Sequence, residues 1–162
     1  MLVVADASPL VVLSTIQALH ILPDLYGRVF VPSQVMLELA SPARPAESRA
    51  LALSPPAWLV EQSPRFVASL PKLHAGECEA ISLALELKSD VLLIDESAGR
   101  KAATKLGLRV TGTVGILELA ADRQLVDLAT SFDRIKRTDF WVSHALLDET
   151  LRSYLHRKGT KK

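Results

Sequence analysis

The chain has 162 residues, of which 49% are hydrophobic and 23% are charged, and its net charge at pH 7 is +1. These values are typical of one folded globular domain and exclude a mainly disordered chain. The single cysteine, Cys78, excludes an internal disulfide and a cysteine-rich zinc site, and no apolar run reaches the roughly 18 residues of a membrane span. Because the apolar N-terminus also lacks the basic leader of a signal peptide, we expect a cytoplasmic protein without membrane contact.

The first strand and the first helix are predicted from residues 1–20. A β-branched apolar run over residues 1–6 ends in Asp6, which is typical of a buried strand with one polar group at its tip. Ser8 and Pro9 then predict the N-cap and the first turn of a helix whose apolar spacing continues to about residue 20.

The middle of the chain predicts further strands and helices. A strand is expected over 28–31, and the helix that starts after it carries Glu38. Prolines bound residues 41–57, where one short helix fits between them. The next expected elements are a strand over 58–60, one or two helical turns over 66–70 and a helix over 75–88.

The C-terminal part repeats the pattern of the first strand. An apolar strand over 91–94 ends in Asp95 and Glu96, and a helix with a basic face follows, closed by Gly107. The last expected elements are a strand over 108–111 and helices over 114–121, 127–136 and 143–155. Strands separated by helices predict an α/β fold of three layers, with a central, mainly parallel sheet of about four to five strands. We expect one domain over 1–156 and a basic tail over 157–162.

Acidic side chains fall where such a sheet binds its ligands, at the carboxyl ends of the strands. Asp6 and Asp95 hold this position, although each also suits a helix cap. The helix dipole favours Glu77 in the first turn of its helix without any function, and it disfavours Glu38 near the end of another. If the four carboxylates converge, hard divalent cations that prefer oxygen ligands would relieve their repulsion. Such a site suits the hydrolysis of phosphodiesters.

The helix after Asp95 offers cations for a phosphate backbone. Arg100, Lys101 and Lys105 form its basic face, and the alternative is an ordinary solvated helix surface.

Five segments of the sequence resemble the PIN-domain superfamily, and more narrowly its small prokaryotic branch of predicted PIN-like nucleic acid-binding proteins. The segments are residues 3–10, 31–39, 73–81, 91–96 and 110–115. The resemblance implies a Mg2+- or Mn2+-dependent endoribonuclease, in many relatives the toxin of a toxin–antitoxin pair and often a homodimer. RNA and an antitoxin protein are therefore the expected partners.

The resemblance also implies which side chains bind the metal. Carried over onto this sequence, the family's acids are Asp6, Glu38, Glu77 and Asp95, with Ser8 as a hydrogen-bonding helper. Because the third acid is usually Asp and the residue before the fourth is usually Thr, other candidates stay open. Glu79 competes with Glu77, and Glu96 and Ser97 are further candidates beside Asp95.

A non-catalytic RNA-binding or partner-binding module with the same fold is the alternative prediction. Dependence on a divalent metal discriminates between the two, because only a nuclease needs the acids. The apolar stripe of the 143–155 helix fits a dimer or antitoxin surface, or it closes the core.

Overall fold

The computed structural model describes residues 1–160, in which strands and helices alternate along most of the chain. The strands are β1 (Val3–Ala5), β2 (Val29–Val31), β3 (Leu59–Glu61), β4 (Val91–Leu93) and β5 (Val110–Thr111). The helices are α1 (Ala7–Thr15), α2 (Ile21–Tyr26), α3 (Ser33–Leu39), α4 (Ala46–Leu53), α5 (Ala75–Leu87), α6 (Ser97–Lys105), α7 (Thr113–Asp122), α8 (Leu128–Lys136) and α9 (His144–Gly159).

The strands form one parallel sheet in the order β3-β2-β1-β4-β5. Helices flank this sheet, which confirms the predicted three-layer α/β/α fold. Strand β1 is the middle strand and is fully buried, because its β-branched side chains are covered on both faces. After β1 the chain adds β2 and β3 on one side of the sheet, and it then crosses back to add β4 and β5 on the other side. The carboxyl ends of β1 and β4 therefore adjoin at a topological switch point, where Asp6 N donates to Leu93 O at 2.9 Å.

The chain divides into two compact units. The first, Met1–Thr113, contains the whole sheet and helices α1 to α6, and the second begins at Val114 and contains α8, α9 and nearly all of α7. A single domain over 1–156 stays a prediction. Among residues 1–160, no helix is both long enough and apolar enough to cross a membrane.

Helix α9 extends past its predicted end at residue 155 to Gly159, and its last turn forms ion pairs from Arg157 and Lys158 to Glu118 and Asp122 of α7 at 3.1 and 3.0 Å. The basic tail over 157–162 stays a prediction. Residues 161 and 162 of the predicted tail lie outside the described residues.

The first helix differs from its prediction at both ends. Its N-cap is Asp6 and not Ser8, because the Ser8 hydroxyl donates instead to Asp95 across the sheet edge. It ends at Thr15, where Gln17 takes a left-handed conformation (φ 59°) and the following residue donates back to Leu13 O at 2.8 Å. This is the hydrogen bond of a helix stop, and the separate helix α2 follows it.

The predicted helical turns over residues 66–70 are wrong. The chain has no regular secondary structure here, and its backbone amides donate hydrogen bonds to side chains of α5. Arg65 N donates to Glu86 Oε2 at 2.8 Å, and Ala68 N donates to Ser82 Oγ at 2.9 Å. These bonds hold the segment in a non-helical conformation along α5.

The C-terminus of α6 is as predicted. Gly107 follows this helix with a φ of +84°, a backbone conformation that glycine adopts readily.

Candidate metal centre

The carboxyl group of Asp6 is almost completely buried. The side chain follows the central strand and is 4% exposed, and its Oδ1 atom is buried without a hydrogen-bond partner. Burial raises the pKa of Asp6 from 3.8 to about 7, against a backbone hydrogen bond at Ala7 that lowers it. The negative charges of Glu38, Glu77 and Asp95 add to the rise. A cation bound next to this carboxylate would stabilise its charge.

Asp95 lies beside Asp6 and is held by three hydrogen bonds. Its Oδ1 accepts from Thr113 N at 2.7 Å, and its Oδ2 accepts from Thr113 Oγ1 at 2.8 Å and from Ser8 Oγ at 3.3 Å. Burial raises the pKa of Asp95, while these bonds and the charge of Arg100 lower it. Thr113 and Ser8 thus fix the orientation of this carboxylate, and a helper role for Ser8 in metal binding stays a prediction.

Glu38 and Glu77 approach from two helices. Glu38 is half-buried on α3, and its carboxylate lies against Gly76, where an added Cβ would be 2.8 Å from Glu38 Cδ and from Oε2. Glu77 is 5% exposed, and its Oε2 accepts from His74 N at 2.9 Å while its Oε1 lies next to Gly99 of α6. Both helices therefore bring a carboxylate to the region of Asp6.

The structure places the other acidic candidates elsewhere. Glu79 Oε2 accepts from Gln34 N at 3.3 Å, at the start of α3. Glu96 and Ser97 are exposed at the start of α6, where the Glu96 side chain caps nothing. The predicted residues that the structure brings together are Asp6, Ser8, Glu38, Glu77 and Asp95.

The donor set fits a hard divalent cation, although the acids are not closed around one point. Among residues 1–160, no group of three or more His, Cys, Asp or Glu side chains has the arrangement of a ready metal site. Carboxylate oxygens are the ligands that Mg2+ and Mn2+ prefer, and Asp6 Oδ1 is an unused acceptor among them. Glu38 and Glu77, which have rotatable side chains, would turn toward Asp6 to bind a metal. Their role as ligands stays a prediction.

The basic face predicted for α6 divides into two environments. Arg100 is half-buried at the acidic edge, and its Nη1 donates to Ile94 O at 3.0 Å. Lys101 and Lys105 are exposed.

Thr113 is the site residue that the sequence did not reveal. It is fully buried and gives Asp95 two of its three hydrogen bonds. The signal was a threonine directly after Gly112 and close behind a strand, but a threonine at a helix start is also an ordinary cap. Gly112 itself leaves the room that the site needs, because an added Cβ would lie 2.7 Å from Asp95 Oδ1 and from Arg100 Nη1.

Replacing Thr113 with Val is expected to weaken Mn2+ binding by about 10- to 100-fold, because the hydroxyl that orients Asp95 is lost while the backbone bond remains. Isothermal titration calorimetry measures the change. Thr111→Val is the matched control, since Thr111 makes no side-chain hydrogen bond in the described part of the chain. Equal affinities for the two variants would contradict this role of Thr113.

Parallel strands, covering helices and acids at the carboxyl edge define an α/β protein with an acidic candidate site at its switch point. The model of the family DUF3368, described as a PIN domain, matches residues 2–155. The chain therefore belongs to this family of PIN domains. PIN domains are generally nucleases that bind RNA or other nucleic acid and typically use divalent metal ions, so the fold is of a nuclease type.

A solved structure supports the same fold. The chain is similar to a PilT N-terminus domain protein, SSO1118, from the hyperthermophilic archaeon Sulfolobus solfataricus P2, with a TM-score of 0.52 and 15% sequence identity. The match covers 72% of this chain and 90% of that one. At this identity the likeness shows the fold alone. No curated protein matches the chain.

Proposed function

We propose that the protein is a metal-dependent endoribonuclease of the PIN type, with Mg2+ or Mn2+ bound by Asp6, Glu38, Glu77 and Asp95. The observation that carries the proposal is the buried, unpartnered Oδ1 of Asp6. A carboxylate that is desolvated and surrounded by three further acids costs free energy in the folded protein unless a cation offsets it. A site that binds a cation there explains why the fold keeps this arrangement.

The bound metal and the residues around it would have distinct roles at such a site. Bound Mg2+ or Mn2+ supplies an activated water and neutralises charge on the phosphodiester. Asp95 offers oxygens of fixed orientation, because Ser8 and Thr113 hold it. No side-chain nucleophile is required, and Cys78 does not suit that role, since its Sγ is buried toward Leu70 O at 3.9 Å.

The wider setting of the enzyme rests on the family resemblance and on composition. Arg100, Lys101 and Lys105 are proposed to contact the RNA backbone, because they lie on the helix that follows Asp95. A toxin role with an antitoxin partner, a homodimer and a cytoplasmic location belong to the same proposal.

A pair of glutamates two residues apart on α5 provides a sharp test. Glu77→Gln is expected to lower Mn2+ affinity and RNA cleavage by at least about 10-fold, because it removes a ligand charge while its amide oxygen still accepts from His74 N. Glu79→Gln is the matched control and should leave both unchanged, since Glu79 serves the start of α3. Calorimetry with Mn2+ and cleavage of a mixed-sequence RNA, with and without chelator, measure the two effects.

Two results would decide against the proposal. If the wild type binds no Mn2+ and cuts no RNA, the protein is the non-catalytic RNA-binding or partner-binding module instead. If Glu79→Gln is the variant that loses metal, the third ligand has been misassigned.

A further inference from the structure

Arg100 differs from the two lysines of its helix in being part of the acidic edge. Its guanidinium is half-buried and bound to the carbonyl of Ile94, the residue directly before Asp95. Lys101 and Lys105 extend from the same helix into solvent. The hydrogen bond to Ile94 O holds the Arg100 guanidinium at the end of β4, next to the proposed metal site.

The charge of Arg100 lowers the pKa of Asp95, but the two side chains form no direct ion pair. No ion pair joins Arg100 to a carboxylate anywhere in residues 1–160, although Arg100 Nη1 and Asp95 Oδ1 both border the space beside Gly112. The oxygens of Asp95 accept from Ser8 and Thr113 instead. A guanidinium carries five N–H donors, and the bond to Ile94 O is the only hydrogen bond that its side chain makes within the described residues.

The charge of the site explains what such a cation would do. One divalent ion cancels only half of the charge of four ionised carboxylates, so a phosphodiester would still meet net negative charge. A guanidinium offsets part of this charge, and its planar fork matches two oxygens of one phosphate. On the basis of the proposed function, we propose that Arg100 binds the phosphodiester at the metal site. Lys101 and Lys105 contact only the RNA backbone farther from that site.

Substitution of Arg100 separates this role from a structural one. Arg100→Gln keeps an N–H group for hydrogen bonding and removes the charge. We expect it to weaken binding of a fluorescent 2′-O-methyl oligoribonucleotide to the Mn2+-saturated protein by about 10-fold or more, measured by anisotropy. Mn2+ affinity should stay equal or increase, because a neighbouring positive charge has been removed. Arg100→Lys should restore binding only in part, since an ammonium lacks the fork.

The lysines of the same helix are the matched controls. Lys101→Ala and Lys105→Ala should weaken binding uniformly across sequences and lower the salt slope by about one each. The proposal is overturned if Arg100→Gln binds the oligonucleotide no worse than Lys101→Ala does. It is also overturned if Arg100→Gln lowers both the melting temperature and the Mn2+ affinity and Arg100→Lys restores them. Arg100 would then have only the structural role of holding Asp95 in position. Arg100-dependent binding by a wild type that cleaves no RNA would refute the nuclease and support this role of Arg100.

Discussion

Replacing Asp6 with Asn is expected to abolish RNA cleavage and, at the same time, to stabilise the metal-free protein at neutral pH. The loss of activity follows from the position of Asp6 at the centre of the acids, and we expect it to reach at least about 100-fold. The gain in stability follows from burial, because Asn keeps the shape of the side chain without a charge that must be desolvated.

The pH dependence of this stability has a definite sign. In the folded state the pKa of Asp6 is about 7, and in the unfolded chain it returns to its ordinary value of 3.8. Below that value Asp6 is protonated in both states and does not lower the free energy of unfolding. Between about pH 4 and pH 7 the unfolded state releases its proton first, so the free energy of unfolding of the wild type falls as pH rises. The full cost, present above pH 7, is roughly 4 kcal/mol at most, from about 1.4 kcal/mol per pKa unit.

Denaturant unfolding of the metal-free protein at pH 5 and pH 8 measures this effect. Asp6→Asn should lose less stability between the two pH values than the wild type does, and Mn2+ should stabilise the wild type only. Asp90→Asn is the control, because Asp90 lies at the amino end of β4, where it accepts from Leu2 N away from the acids. A wild type that is more stable at pH 8 than Asp6→Asn, without metal, would refute the desolvation of Asp6.

The sequence allowed the acidic edge to be predicted because one topological rule places it. Asp6 and Asp95 each follow a buried apolar run, and parallel strands put such residues at one edge of the sheet. The position of Glu38 near the end of a helix, where the dipole disfavours an acid, marked it only weakly, and the resemblance to PIN domains added support. The adjacency of β1 and β4 then depends on long-range pairing, which the alternation of elements does not fix.

The remaining choices depended on packing that a sequence does not display. Glu77 and Glu79 stand on opposite sides of α5, and only the position of α3 decides which one faces the acids. Arg100 and Lys101 look equivalent in a basic helix, yet only Arg100 reaches the carbonyl of Ile94. Thr113 was missed for the same reason, since its hydroxyl bonds to a residue 18 positions earlier.

Replacing Gly76 with Ala is expected to lower Mn2+ affinity and cleavage by about 10- to 100-fold with little change in stability. The added methyl group would occupy the space of the Glu38 carboxylate, which is the flexible end of a side chain. Glu38 can therefore rotate away at small cost, and the helix gains up to roughly 1 kcal/mol from Ala in place of Gly. The acid is displaced while the fold is kept. Calorimetry with Mn2+, RNA cleavage and thermal unfolding together measure this separation.

Two further variants show whether Gly76 acts through Glu38. Gly159→Ala is the matched control in another helix, because an added Cβ there meets nothing within 4 Å, and it should leave metal binding and cleavage unchanged. In a Glu38→Ala background, Gly76→Ala should have no further effect on Mn2+ affinity, since the group that it displaces is absent. An undiminished effect in that background would mean that the methyl group disturbs α5 and Glu77 directly. The double-mutant cycle therefore distinguishes a glycine that makes room for one carboxylate from a glycine that shapes the whole site.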